Sequence, residues 1–509
     1  MAKKSLKKHL SAFDEFGFKN TVDSLLQEIR LLYTLDGIPW VIGYSGGKDS
    51  TAIVQLVWMA LQGLSPEQRR KKVFVISTDT WVESPVVSGW VRQSLVRIRQ
   101  AALQQKLPLD PHLLEPALKD SFWVNLIGKG YPAPRNQFRW CTERLKIRPA
   151  NEFIKRVVQE SGEAILVLGT RKAESAKRHG TMKKHGANRV RERLSPNSNL
   201  PNSLIFTPIE DWSNDDVWVF LMQISNQWGH SHNDLLTMYR GATADGECPL
   251  VVDTSTPSCG SSRFGCWVCT LVDRDRSMEA MIQNDEEKEW MLPLLNIRNM
   301  MDPRIADGKE DDRHRREWRR MSGAVNVMDR VIDGVKYVDT VPGPYTKKWR
   351  ETWLTMLLEA QQEIRKSGPH AVRNIELIRD EELHEIRRIW VNEKCEFDDS
   401  LPRIFEKVTG TPFKVQRDDG VTLGGMEWDL IETCCNGNEM RFELITRLLS
   451  VEREYSGMGN RRGLYDALKK CFDIAGFESK DEAIEEATER RGLREGKLRS
   501  SRNAMETAK

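Results

Sequence analysis

The sequence predicts an α/β fold, a parallel sheet with helices on both faces, followed by a mainly helical C-terminal region. Three apolar runs of strand length carry the first half of that reading: Trp40 to Gly43, Val73 to Ser77 and Ala164 to Leu168, each closed by a polar loop and separated by helical stretches. The second half rests on Trp349, Trp353, Leu354, Leu357 and Leu358 at helical spacing, then on helical patterns over Ile375 to Trp390, Met440 to Glu452 and Gly463 to Ile474. Ligands of parallel sheets sit beyond the carboxyl ends of the strands, so three polar loops are expected to meet in one crevice.

Taken in order, Thr21 to Leu35 is a helix with Val22, Leu25, Leu26, Ile29 and Leu32 on one side, ended by Asp36-Gly37. The first strand hands over to a helix through Ser45-Gly46-Gly47-Lys48-Asp49-Ser50. Two glycines there let backbone N–H groups close around an anion, the helix N-terminus adds partial positive charge and Lys48 adds a full one. That is a pyrophosphate cradle. It is not a Walker A loop, because Ile42 and Asp49 stand where a Gly and a Ser or Thr are needed. Past the second strand, Asp79 is placed to receive a ribose hydroxyl or an adenine amine. Past the third, Arg171 is placed to hold a phosphate and Glu174 to anchor that Arg.

Lys172 to Ser203 breaks the pattern with eight Lys and Arg and few apolar residues, and it is expected to be a mobile loop. Its Lys183, Lys184, Arg189 and Arg191 are candidate contacts to a polyanion such as DNA. A net charge of +3 over 509 residues makes any such binding the work of a local patch. The expected organisation is a nucleotide domain with a cysteine segment over 1–290, a charged linker over 291–344, a helical domain over 345–490 and a disordered tail over 491–509. Met1 to Lys8 is basic but no apolar signal core follows, and no run approaches the ~20 apolar residues of a membrane span. A cytoplasmic protein is expected.

Five of the nine cysteines fall between Cys141 and Cys269, a pattern of ligands and not of a disulfide framework. Cys248, Cys259, Cys266 and Cys269 lie in a segment rich in small and turn residues. Cys266-x-x-Cys269 puts two thiolates on one metal, and Cys141 is the natural remote partner. The remaining ligand is Cys259 or Cys248. Cys259 is nearer the pair, which leaves Cys248 as the alternative ligand or a sulfur carrier. Cys395, Cys434, Cys435 and Cys471 are expected as core thiols.

Ser45 to Ser50 resembles the signature of the PP-loop ATP pyrophosphatase superfamily, whose members share the adenine nucleotide alpha hydrolase-like fold. The blocks at Asp79 to Pro85, Arg139 to Lys146, Gly169 to Ser175 and Pro208 to Trp218 resemble its adenylyl-sulfate (PAPS) reductase branch. That resemblance implies cleavage of ATP between the α and β phosphates, with AMP left on an acceptor oxygen. It implies catalytic roles for Lys48, Asp49 and Arg171, and nucleotide binding by Ser45, Gly46, Gly47, Lys48, Asp49, Ser50, Asp79, Thr80, Gly169, Arg171 and Glu174. It also implies Mg²⁺ with the nucleotide and a 4Fe-4S cluster, in preference to zinc, on Cys141, Cys259, Cys266 and Cys269. Where that branch has a second Cys before Cys141, this chain has Trp140.

The segment Ser-Thr-Pro-Ser-Cys259-Gly-x-Ser-Arg-Phe-Gly-Cys266-Trp-Val-Cys269-Thr, with Gly343-Pro344-Tyr345-Thr346, resembles the C components (DndC) of the Dnd DNA phosphorothioation systems. This implies an ATP-dependent sulfurtransferase acting on DNA within a restriction-modification type of system, with a cysteine desulfurase as sulfur donor and other Dnd-system proteins as partners. The rival readings are an adenylyl-sulfate or PAPS reductase, which needs a mobile nucleophilic Cys where this chain has only Cys471 within a helical pattern, and a PP-loop tRNA thiolase.

Overall fold

The computed structural model describes residues 11–174, 193–197, 200–242, 265–306, 308, 311–332, 334–415, 423 and 425–507. Cys248, Cys259, Lys183, Lys184, Arg189 and Arg191 lie outside them. The chain divides into two compact units, one of residues 1–120 and 134–298 and the other of residues 121–133 and 299–509.

The first unit is built on β1 (Trp40–Gly43), β2 (Val73–Thr78), β3 (Leu109–Leu114), β4 (Ala164–Val167), β5 (Ser195–Pro196) and β6 (Ser203–Phe206), in sheet order β3-β2-β1-β4-β6-β5. All pairings are parallel except the short antiparallel β5 at one edge. Trp40 lies across from Val73 on one side and Ile165 on the other, so β1 is central.

Successive residues of these strands face opposite layers. Trp40, Ile42, Val73, Val75, Ile165 and Val167 join a core with α1 (Gly17–Leu35), α2 (Lys48–Gln62) and α3 (Pro85–Gln104), while Val41, Phe74, Ile76, Ala164 and Leu166 join a second core with Phe153, Ile154 and Val157 of α4 (Arg148–Ser161). Both faces are thus covered, which is why β1, β2 and β4 read as unbroken apolar runs.

Two parallel strands escape the sequence pattern. β3 carries Pro111 opposite Val75 and alternates buried with half-buried residues; it is an edge strand, where a proline is tolerated. β6 is only four residues long and follows a Pro, Ser and Asn stretch that masks it. After β6 come α5 (Asn214–Gln223) and α6 (His232–Gly241), then helices Arg276–Asn284 and Leu292–Met301. Ser213 caps α5 by accepting the Asp216 N–H, and the Asp216 carboxylate accepts the Ser213 N–H in return.

The second unit is mainly helical, as expected, with Lys347–Ser367, Asp380–Arg388, Ser400–Thr409, Glu439–Tyr455 and Leu464–Ala475. Thr346 opens the first of these by accepting the Trp349 N–H. Within the stretch expected as a charged linker lies an antiparallel hairpin of β7 (Val327–Ile332) and β8 (Val335–Thr340). The Arg315 guanidinium is fully buried 4.4 Å from the Trp349 ring centre. A helix is assigned over Lys480–Thr507, which includes most of the stretch expected as a disordered tail. Cys395, Cys435 and Cys471 are buried, whereas Cys434 is exposed at the last residue of helix Gly425–Cys434, where the expected core burial fails. Among the described residues no helix is long and apolar enough to cross a membrane.

Candidate functional site

The loop between β1 and α2 has the geometry its residues require. Gly46 has φ of +74°, and a Cβ there would stand 2.6 Å from Val91 Cγ2, so both the backbone conformation and the space demand glycine. The Gly46 carbonyl accepts the Trp90 indole N–H at 3.1 Å. Ser50 Oγ ties the turn together, accepting the Ser45 N–H at 3.2 Å and donating to the Gly47 carbonyl at 3.0 Å. Gly47 is the N-cap of α2 and brings no side-chain cap, leaving the opening amides of the helix to other partners.

Charge gathers at that end of the helix. Asp49 offers Oδ2 to Lys48 Nζ at 3.1 Å and Oδ1 to Arg171 Nε at 2.6 Å. Arg171 follows β4, is only 4 % exposed and also donates to the Trp212 carbonyl at 3.3 Å. Burial lowers the Lys48 pKa, Asp49 counters that and Arg171 adds to it. Gly169 lets β4 close on α2, since a Cβ there would be 3.0 Å from the Asp49 carbonyl. Asp49 is thus a carboxylate partner of Arg171; the side chain of Glu174, expected in that role, lies outside the described residues.

Beyond the same strand ends lies a cavity of about 320 Å³, a ligand-sized space. Its walls include Ser45 of the loop, Ile76, Leu166 and Leu168 from the sheet ends, Asp79, Glu83 and Lys146. Asp79 is buried, accepting the Trp81 N–H at 2.9 Å and pairing with Arg92 of α3. Thr80, expected to touch nucleotide, has its hydroxyl 3.2 Å from Glu83 Oε1 and 3.3 Å from Cys266 Sγ.

Glu83 and Cys266 are joined by an isolated antiparallel bridge, with the Trp267 N–H on the Val82 carbonyl and the Ser84 N–H on the Gly265 carbonyl. Lys146 Nζ lies 2.9 Å from Glu83. It is carried by a π-helical stretch, Thr142–Ile147, that begins right after Cys141. Winding from i to i+5 brings residues five apart toward one side, and such turns recur at functional sites. Burial raises the Cys141 thiol pKa, with Cys269 contributing, and pushes the Cys266 thiol up to about 12, with Glu83 and Cys141 contributing. The Cys269 N–H donates to the Cys266 carbonyl across the tight turn of the Cys-x-x-Cys pair. Three of the expected ligands thus share one neighbourhood. Among the described residues no group of three or more His, Cys, Asp or Glu is arranged to hold a metal, and Cys248 and Cys259 are not among them.

Residues 39–271 match the model of the phosphoadenosine phosphosulfate reductase domain. This stretch is a PAPS reductase-like domain. An uncharacterized protein of Methanocaldococcus jannaschii is 24% identical over 188 residues, 36% of this chain and 32% of that protein, so the chain spans about a third of the length of the curated relative it matches. Among solved structures, the FMN adenylyltransferase of Candida glabrata with FAD and inorganic pyrophosphate is similar at a TM-score of 0.26 and 13% identity, covering 44% of this chain and 61% of that one. The U34-tRNA thiolase NcsA of Methanococcus maripaludis with its 4Fe-4S cluster is similar at a TM-score of 0.27 and 14% identity, covering 60% of this chain and 86% of that one.

The PAPS reductase-like domain holds further site residues beyond those expected from the sequence. Arg92 closes Asp79, Lys146 pairs with Glu83, and Tyr239 of α6 accepts the Lys48 N–H at 3.3 Å. Glu83 and Lys146 stand inside the motif blocks, which was their available signal. Tyr239 has none, being one apolar-face residue of an ordinary helix.

Proposed function

We propose that this chain is an ATP-dependent sulfurtransferase that activates a backbone phosphate oxygen of DNA by adenylation, releases pyrophosphate and replaces that oxygen with sulfur. The observation that carries the reading is the single cavity that Ser45 of the phosphate loop shares with Glu83 and Lys146, the latter two flanking Cys266. A phosphate loop and thiols around one cavity are what adenylation followed by sulfur transfer calls for. Members of the PAPS reductase-like PP-loop group are enzymes, and ATP is the nucleotide the loop suits.

The steps follow from the residues. Lys48 and the opening amides of α2 hold the β and γ phosphates, with Arg171 beside them. An oxygen of the DNA phosphodiester attacks the α phosphorus, the bond to the bridging oxygen breaks, and pyrophosphate leaves with that electron pair. The adenylated oxygen is now a good leaving group. A sulfur nucleophile at the sulfide level, supplied as a cysteine desulfurase persulfide reduced by a thiol, attacks the DNA phosphorus and AMP departs with the former phosphate oxygen.

Cys141, Cys266 and Cys269 suit an iron–sulfur cluster by donor type and by their shared neighbourhood, with Cys259 or Cys248 as the remaining ligand. A 4Fe-4S cluster held there would supply a thiophilic centre next to the activated phosphorus. The Asp49 carboxylate is committed to Lys48 and Arg171, so Mg²⁺ would arrive on the phosphates of the nucleotide itself. DNA, a cysteine desulfurase and other Dnd-system proteins are the partners this reading calls for, in a cytoplasmic setting.

The test is pyrophosphate release by purified protein loaded with iron under anaerobic conditions, in the presence of duplex DNA, transfer RNA or adenylyl sulfate. DNA should stimulate release, and Lys48→Ala should abolish it while leaving iron content unchanged. Stimulation by transfer RNA alone would replace this reading with that of a tRNA thiolase, and reduction of adenylyl sulfate with that of a reductase.

A further inference from the structure

The N-terminus of α2 is capped from a distance. Gly47 supplies no capping side chain, and the first amide of the helix, that of Lys48, donates to the hydroxyl of Tyr239, a residue 191 positions away. The fit is close, since a Cβ on Gly47 would come within 3.1 Å of that hydroxyl. The second loop glycine therefore makes room for a tyrosine as well as for an anion. Tyr239 is 7 % exposed, its ring meets Trp218 of α5 edge-on at 5.1 Å and 88°, and Lys48 Nζ stands 5.5 Å from its centre. Neighbours on both sides fix where the hydroxyl points.

That position has a chemical consequence. Any phosphate oxygen that accepts the Lys48 amide must come within reach of the Tyr239 oxygen, because both compete for one N–H. A hydroxyl is an acceptor toward an amide and a donor toward an anion, and rotation about its C–O bond exchanges the two roles. Burial, the largest influence, holds the phenol pKa well above its ordinary value, so the group keeps its proton.

We propose that Tyr239 is a phosphate-binding residue of the loop: its hydroxyl accepts the Lys48 amide before nucleotide binds and donates to a β or γ phosphate oxygen once it has bound. This rests on the reading of the loop as an ATP site. The probe is titration calorimetry of the full-length protein with inorganic pyrophosphate, ATP and adenosine, comparing wild type with Tyr239→Phe, which keeps the ring against Trp218. Loss of a hydrogen bond to a charged group should weaken pyrophosphate and ATP about tenfold or more, leave adenosine unchanged, and move the thermal midpoint little. Equal pyrophosphate affinity in the two proteins would overturn the inference, and so would tighter binding by the variant, which would make the hydroxyl a mere competitor. Equal weakening of adenosine would make it a structural residue. Failure of the wild type itself to bind ATP or pyrophosphate would instead refute the nucleotide reading.

Discussion

Asp49 stands between two cations, and the loop depends on how it divides itself between them. Replacing it with Asn removes the carboxylate that, among the described residues, keeps the buried Lys48 amine protonated against desolvation and against Arg171. A lysine whose pKa is lowered loses its proton, and with it its hold on phosphate, as pH rises. Pyrophosphate affinity should therefore fall toward alkaline pH in the wild type, and in Asp49→Asn the fall should begin at lower pH; calorimetry across the range reads this directly, and superimposable profiles would deny the coupling. Asp49→Ala should also cost about 1–3 kcal/mol of stability in urea unfolding, less than a fully buried pair, because Asp49 is about a quarter exposed while Arg171 is not. Lys48 and Asp49 stand together in the sequence through a loop type with local spacing, and Arg171 follows an apolar strand run, which is how the three could be expected in one place. Arg92 and Tyr239 were not, because what makes them site residues is a distance across the fold that no local pattern encodes.

At the scale of elements, strands buried on both faces announce themselves, and β1, β2 and β4 were read within a residue or two. Edge position hid β3, where Pro111 and half-buried residues dilute the signal, and brevity hid β6. The π-helical stretch Thr142–Ile147 was not legible either, since its composition is that of any short helix. Its winding matters for Cys141 and Lys146: in an α-helix, residues five apart diverge by about 140°. Deleting the exposed Glu143 should restore α-helical winding and leave the two residues four apart, about 40° round the helix and still on one side. The expected outcome is that most of the iron that Cys141, Cys266 and Cys269 help retain survives, measured after anaerobic reconstitution, with ATP affinity preserved. Loss of that iron in the deletion variant would show that the π-helical winding itself is required. Replacing Cys141, Cys266 or Cys269 with Ser should each strip the about four irons of a cubane cluster, whereas Cys434→Ser, at an exposed helix end, should not.

At the scale of the whole molecule, the proposed polyanion contacts sit in a segment of known charge. Reversing Lys183, Lys184, Arg189 and Arg191 should flatten the dependence of DNA affinity on salt by about the number of phosphates released, and leave ATP binding intact. An unchanged slope in a filter-binding series would move the DNA to another surface. The site itself has a different dependence on the chain as a whole. Its contacts join residues very far apart: Asp49 with Arg171 across 122 positions, Thr80 with Cys266 across 186, Lys48 with Tyr239 across 191. Closing loops of that length is slow, and parallel strand pairing adds to the delay. In refolding from urea, helical ellipticity should therefore return well before the protein can retain labelled ATP. On the proposed function the site is also a timer for folding: a chain still being synthesised has its phosphate loop but lacks Arg171 and Tyr239, and it should not spend ATP until both have been made and placed.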